Sequence, residues 1–279
     1  MAEEWKTAGG YAEYIRRIEI DSLWGGRKHI VWDLDRHVNI LSGVNGVGKS
    51  TIINRVVRGL SQGCGLAGSL PAGVKVDVEP AGAGAIRYDI IRSFDRPLVS
   101  REIAGKVDLR LATELDLQLF SLQRRYLDYQ VNIGNRTIAA LQSGNPAEVA
   151  AAAGHGRPKK LFQDMVDSLF ADTAKTIVRT ENEIAFRQAG ERLEPYQLSS
   201  GEKQMLVILL TVLVEDGLPH TLFMDEPEVS LHIDWQKRLI SLIRELNPAA
   251  QIILTTHSPA VIMDGWMDRV TEVSDITDR

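Results

Sequence analysis

The sequence predicts an α/β fold with a mostly parallel central sheet. Two observations carry this. First, the short apolar run Val38–Leu41 enters a glycine-rich turn, and a helical pattern with Ile52, Ile53, Val56, Val57 and Leu60 on one stripe follows from about Gly48 to Gly59. Second, the last hundred residues alternate apolar strands with helices, and each strand ends in polar residues: Thr221–Met224 before Asp225-Glu226, and Gln251–Leu254 before Thr255-Thr256-His257. Strands arranged in this way place a site at their carboxyl ends.

The remaining elements follow in chain order. Residues 1–13 read as a polar lead-in. Ile18 and Ile20 alternate with polar neighbours in a strand from Tyr14, and His29–Leu34 reads as its hairpin partner across a Gly25-Gly26 turn. Residues 61–73 are rich in Gly, Ala and Ser and read as a loop. Val74–Val78 and Ile86–Ile91 both alternate, with Ala81-Gly82-Ala83-Gly84 between them, which predicts a second antiparallel hairpin. Leucine spacing turns helical from about Leu111 to Gln142. Residues 143–158 form a break, and a helix is predicted from about Lys159 to Ala174. Glu183–Arg187 reads as a short strand. Helices are predicted over Ser200–Glu215 and Asp234–Leu246.

Composition excludes several classes. The 279 residues carry 32 Lys and Arg against 37 Asp and Glu, a formal charge of −5, so any nucleic-acid contact is local rather than general. The longest apolar stretch, Met205–Val214, is ten residues, whereas a membrane span needs about 20. The lone cysteine, Cys64, forms no internal disulfide, and the amino terminus has no signal-peptide core, so a cytoplasmic setting is expected.

Four motifs carry chemistry. Gly43-Val44-Asn45-Gly46-Val47-Gly48-Lys49-Ser50-Thr51 fits G-x-x-x-x-G-K-[ST] between a strand and a helix. Backbone N–H groups from Asn45 to Thr51 can cradle phosphate oxygens at the positive end of the helix, with Lys49 on the β- and γ-phosphates, Ser50 on Mg²⁺ and Thr51 on the α-phosphate. Asp225 and Glu226 end an apolar strand; Asp225 can hold Mg²⁺ and Glu226 can deprotonate an attacking water. Leu198-Ser199-Ser200-Gly201-Glu202-Lys203-Gln204 opens a helix, either as a plain cap or as an anion-binding terminus. His257, at the exit of the last apolar strand, is placed to sense the γ-phosphate or the water.

In their order and spacing these motifs resemble those of ABC-type ATPases, over roughly residues 14–62 and 183–265. The forms Leu-Ser-Ser-Gly-Glu-Lys-Gln and Asp-Glu-Pro-Glu-Val-Ser-Leu-His resemble the soluble branch that holds SMC-type heads, OLD-family ATPases and phage-defence ATPases. The resemblance implies a P-loop NTPase with an N-terminal antiparallel β subdomain and a short helical insert: one head over residues 14–279, divided at 14–108, 109–182 and 183–279. It implies Mg²⁺-dependent ATP hydrolysis with Glu226, His257 and Lys49 as catalytic residues. It also implies an ATP-dependent homodimer in which Ser199, Ser200, Gly201 and Glu202 meet the partner's nucleotide and Ser230, Leu231 and His232 line the seam. Ser200 and His232 depart from the forms familiar in transporters.

The resemblance further implies a metal-ligating Gln before the helical insert, for which Gln123 is the first candidate and Gln118 the second. Arg27 and Lys28 are candidates for base or phosphate contact, with exposed solubilising charges as the alternative; Trp24 and Trp32 could stack on adenine, but read first as core or surface tryptophans. Arg124-Arg125, and more weakly Arg157 with Lys159-Lys160, are the candidate DNA contacts. The 146 residues between Thr51 and Leu198 are too few for an SMC-type arm, and no second catalytic constellation is present. The expected role is therefore a motor or sensor for a separate nuclease or toxin-like effector, in phage defence or DNA maintenance. The alternative is the nucleotide-binding subunit of a membrane transporter.

Overall fold

The computed structural model describes residues 10–23, 28–62, 66, 70, 73–92 and 112–278. Trp24, Arg27 and Cys64 lie outside the described residues. The centre is a five-stranded, all-parallel sheet in the order β13 (Val270–Glu272), β4 (Val38–Ser42), β12 (Gln251–Thr255), β11 (Thr221–Asp225), β7 (Tyr88–Arg92). Such a sheet is covered on both faces, and its apolar runs divide residue by residue between them. Ile40, Leu222, Met224, Ile252 and Leu254 enter one core, and Leu41, Phe223 and Ile253 enter the other.

The first core is filled by α2 (Glu114–Gln142), α4 (Arg157–Leu169), α5 (Ser200–Val214) and α6 (Ile233–Leu246); α3 (Pro146–Ala152) packs on α2. Every residue of α5 from Glu202 to Leu213 is buried, as expected for a helix that is apolar nearly all round. The second core lies between the sheet, α1 (Lys49–Gln62) and a four-stranded sheet in the order β14 (Thr277–Asp278), β3 (Lys28–Asp33), β2 (Tyr14–Leu23), β5 (Val74–Glu79). The latter is the expected N-terminal antiparallel subdomain, with the predicted β2–β3 pairing confirmed.

Several local expectations are corrected. The hairpin between Val74–Val78 and Ile86–Ile91 does not form: β5 pairs antiparallel with β2, while β7 joins the central sheet beside β11. The short β6 (Ala85–Ile86) pairs with β1 (Tyr11–Ala12), inside what reads as a lead-in. Part of the predicted break, 146–152, is the helix α3, with Pro146 in its first turn and the Asn145 side chain accepting from Ala147 N. Helix α4 ends at Leu169 rather than near 174; the chain tightens into a short 3₁₀ turn there and leaves it through Ala174 in a left-handed conformation. Glu183–Arg187 shrinks to β9 (Phe186–Gln188), which pairs with β8 (Thr176–Ile177) and β10 (Glu191–Leu193). Among the described residues, no helix is long and apolar enough to cross a membrane.

Candidate functional site

Strand order positions the site. Strand β12 lies between β4 and β11, and the register puts Leu41, Thr255, Asp225 and Arg92 in one row along the carboxyl edge. The glycine-rich turn therefore leaves β4 beside the exit of β12, which stands beside the acids of β11. Gly46 and Gly48 have φ of +79° and +108°, a region side chains with a Cβ enter at a cost, and they allow the loop to close above the first turn of α1. Val44, Asn45 and Gly46 are exposed on the loop, and Val47 packs into the second core.

Two hydroxyls converge on one carboxylate oxygen. Ser50 Oγ donates to Asp225 Oδ1 at 2.8 Å and Thr255 Oγ1 donates to the same atom at 2.6 Å. A serine hydroxyl beside a carboxylate is a hard-oxygen donor set, which fits Mg²⁺. Ser50 and Asp225 come together as expected, 175 residues apart in the chain.

Lys49 is 4% exposed; its Nζ donates to the carbonyls of Gly43 at 2.9 Å and Val44 at 3.4 Å, and lies 2.6 Å from His257 Nε2. Burial lowers its pKa below the usual lysine value, against the opposing pull of Glu226, Asp225 and Glu228. His257 Nε2 is also 3.2 Å from Glu226 Oε1. One ring nitrogen cannot accept from Lys49 and donate to Glu226 at once, so His257 has two alternative hydrogen-bonding states here. Glu226 sits at φ +49°, a conformation non-glycine residues rarely adopt, held by bonds from its N–H to Thr255 O at 3.1 Å and Thr255 Oγ1 at 3.0 Å. Lys49, Asp225, Glu226 and His257 thus form one cluster, with Thr51 exposed in the first turn of α1 beside it.

The Leu198–Gln204 motif is separate. Ser199 caps α5 in a reciprocal capping box, its hydroxyl accepting from Glu202 N while Glu202 accepts from Ser199 N. Ser199 and Ser200 are exposed. A methyl group added to Gly201 would overlap the carbonyl oxygen of Ser230, so α5 starts directly against the loop that follows the acids. Within that loop Leu231 is buried and His232 is exposed, capping α6.

Several expected roles are corrected. Glu202 is 2% exposed, and its carboxylate accepts from Ser199, Thr173 Oγ1 and Lys175 Nζ; it braces the motif from within rather than facing a partner. Gln123 is buried, with Nε2 donating to Ile184 O at 3.0 Å and Oε1 accepting from Ile184 N at 2.8 Å. Its carboxamide is committed to that backbone, so it joins α2 to the segment before β9 instead of reaching the Ser50–Asp225 pair. Gln118 lies near the start of the same helix. Trp32 is a core residue, 2% exposed, in line with its first reading rather than with adenine stacking. Lys28 opens β3 opposite Leu23 in the antiparallel sheet.

Arg125 forks onto Asp89 at 2.9 and 3.2 Å and pairs with Glu215, so it is no free cation for DNA. Burial and the Asp89 charge push Glu215 up to about 7. Lys159 and Lys160 are likewise engaged, by Gln130 and Asp164.

Sequence reasoning missed Glu228, two residues beyond Glu226, and Gln236 on α6; both touch the exit of β12. The signal was present as a third acid in Asp-Glu-Pro-Glu, but an acid in a turn reads as solvated until its partners are seen.

A family profile described as "AAA domain, putative AbiEii toxin, Type IV TA system" matches residues 88–264. A 108-residue stretch is 34% identical to the Septu protein PtuA of Bacillus thuringiensis, covering 34% of this chain and 25% of that protein. Another of 117 residues is 31% identical to the uncharacterized ABC transporter ATP-binding protein YejF of Escherichia coli, covering 39% and 21%. The Retron Vc95 probable ATPase of Vibrio cholerae is 24% identical over 133 residues, covering 43% and 26%. The matched stretches thus span about a quarter of the length of these relatives. Among solved structures, an SMC head bound to the C-winged helix domain of ScpA superimposes with a TM-score of 0.50 at 13% identity, covering 90% of this chain and 91% of that one. The fold is that of an ABC-like ATPase head.

Proposed function

Because the chain belongs to the AAA-domain family described as putative AbiEii toxin, Type IV TA system, we propose that it binds ATP at the Gly43–Thr51 loop and hydrolyses it with Mg²⁺. The observation that carries this reading is the single cluster in which Ser50 meets Asp225 and His257 meets both Lys49 and Glu226. Ser50 and Asp225 would hold Mg²⁺, which when bound neutralises phosphate charge. Lys49 would bind the β- and γ-phosphates by exchanging its loop carbonyls for phosphate oxygens. Glu226, partly exposed beside His257, would accept the proton of the attacking water, and His257 would hold the γ-phosphate side in register.

The outward-facing Ser199 and Ser200 support a further step, an ATP-dependent homodimer in which Ser199 and Gly201 of one copy meet the nucleotide of the other. We propose 14–108, 109–182 and 183–279 as the lobes of this head. The relatives named Septu protein and retron ATPase support a role in phage defence, with the chain as a cytoplasmic motor or sensor for a separate effector. The transporter-subunit reading draws on the name of the Escherichia coli relative. Purification with a membrane permease would favour it over the effector reading.

The test is Glu226→Gln. Turnover of ATP is expected to fall about 10²- to 10⁴-fold, as for loss of a general base, with ATP binding retained and dimers trapped on a sizing column. Turnover at the wild-type rate would remove Glu226 from the mechanism.

A further inference from the structure

Glu228 is a buried carboxylate outside the nucleotide cluster, and its contacts are directional. The chain leaves β11 through Glu226 and Pro227, and Val229 N donates back to Glu226 O at 3.3 Å. This tight turn brings Glu228 back toward the end of β12, where it is 6% exposed. There its Oε1 accepts from His257 N at 3.0 Å, from Ser258 N at 3.3 Å and from the Thr256 hydroxyl. Three consecutive residues around the candidate histidine are thus fastened to one oxygen of the acidic turn. The other oxygen, Oε2, is buried with no hydrogen-bond partner among the described residues.

A second link closes the circuit. Gln236 Nε2 donates to Leu231 O at 2.9 Å and to Glu228 O at 3.3 Å, and its Oε1 accepts from Ser258 Oγ at 2.6 Å. The exit of β12, the acidic turn and the loop through Leu231 therefore share one hydrogen-bonded ring. Burying a carboxylate is costly unless donors surround it, and a carboxylate that gathers backbone donors from one loop fixes the position of that loop.

We propose that Glu228 is a positioning residue that ties the His257 backbone to the acidic turn, and that Gln236 extends the tie to the Ser230–His232 loop. Glu228 does not touch the reacting atoms; it sets where the His257 ring stands relative to Glu226 and Lys49. The catalytic consequence rests on the ATPase reading above, whereas the tie itself rests on the hydrogen bonds.

The experiment uses the full chain as wild type, Glu228→Ala, Glu228→Gln and Gln236→Ala. Amide hydrogen exchange at 256–258 is measured without nucleotide, alongside ATP affinity and turnover. In Glu228→Ala the His257 and Ser258 amides should exchange at least about tenfold faster and kcat should fall about tenfold, with ATP affinity within about twofold of wild type. Glu228→Gln keeps an acceptor oxygen and should restore most of both. Gln236→Ala should shift both in the same direction by less, which serves if Glu228→Ala does not fold.

Unchanged exchange at His257 and Ser258 in Glu228→Ala or Gln236→Ala would overturn the tie. Faster exchange with unchanged kcat, or a loss of kcat matched by a loss of affinity, would overturn the positioning role. If the wild type turned over no ATP, the ATPase reading and the catalytic role built on it would both fall. The exchange result would still decide the tie.

Discussion

Glu202 and Glu226 are both glutamates inside the four motifs, and the structure treats them in opposite ways. Glu202 is sealed at the start of α5 with Lys175, Thr173 and Ser199 around its carboxylate. Glu226 is partly open, in a strained backbone conformation, with His257 as the neighbour of its carboxylate. The same contrast separates the two regions they belong to. On the phosphate-loop edge, polar groups from distant segments meet one another at the carboxyl end of the central sheet. On the α2–α5 side, polar groups such as Gln123 and Arg125 saturate one another and hold the fold. A motif therefore marks where chemistry is located, but not which of its members performs it.

Three substitutions probe this contrast. The largest functional effect is expected from Lys49→Ala: ATP affinity should fall at least about 30-fold, equivalent to about 2 kcal/mol for a lost charge-assisted contact, with stability nearly unchanged. Titration calorimetry and denaturant unfolding measure the two sides. Glu202→Ala should behave conversely. It leaves Lys175, whose side chain is 13% exposed, without its carboxylate, and removal of one partner of a buried pair costs about 3–5 kcal/mol. Its unfolding midpoint should drop sharply while ATP affinity per folded molecule holds; loss of affinity without loss of stability would return Glu202 to the nucleotide side.

The smallest effect, and the sharpest discriminator, is expected from Gln123→Ala. It orphans the Ile184 N–H and C=O at a cost of about 1–3 kcal/mol and should leave the Mg²⁺ dependence of ATP binding as in wild type. A weakened Mg²⁺ dependence would restore Gln123 as a metal ligand.

The same contrast explains what the sequence made legible. The parallel strands and their site were readable because each apolar run ends abruptly in polar residues, and the glycines of 43–48 have a steric reason to be there. Asp225, Glu226 and Lys49 stand beside those runs. Partner choice was not readable. Val74–Val78 and Ile86–Ile91 show the same alternation whether they pair together or, as found, enter two different sheets. Gln123 reads as a candidate metal ligand in the sequence, because the backbone that actually engages it lies 61 residues away. Glu228 was hidden in the same way, by donors that arrive from the end of another strand.

The place of β12 has one more consequence. It is hydrogen-bonded along its length to β4 on one side and β11 on the other, and its end carries Thr255 and His257. A strand gripped on both sides opens only when the sheet itself comes apart, so Thr255, unlike the His257–Ser258 exit beyond it, has no private route to disorder. Whatever binds there acts on the whole folding equilibrium: added nucleotide should raise the melting temperature of the entire domain in one cooperative step, by an amount set by its concentration relative to its dissociation constant.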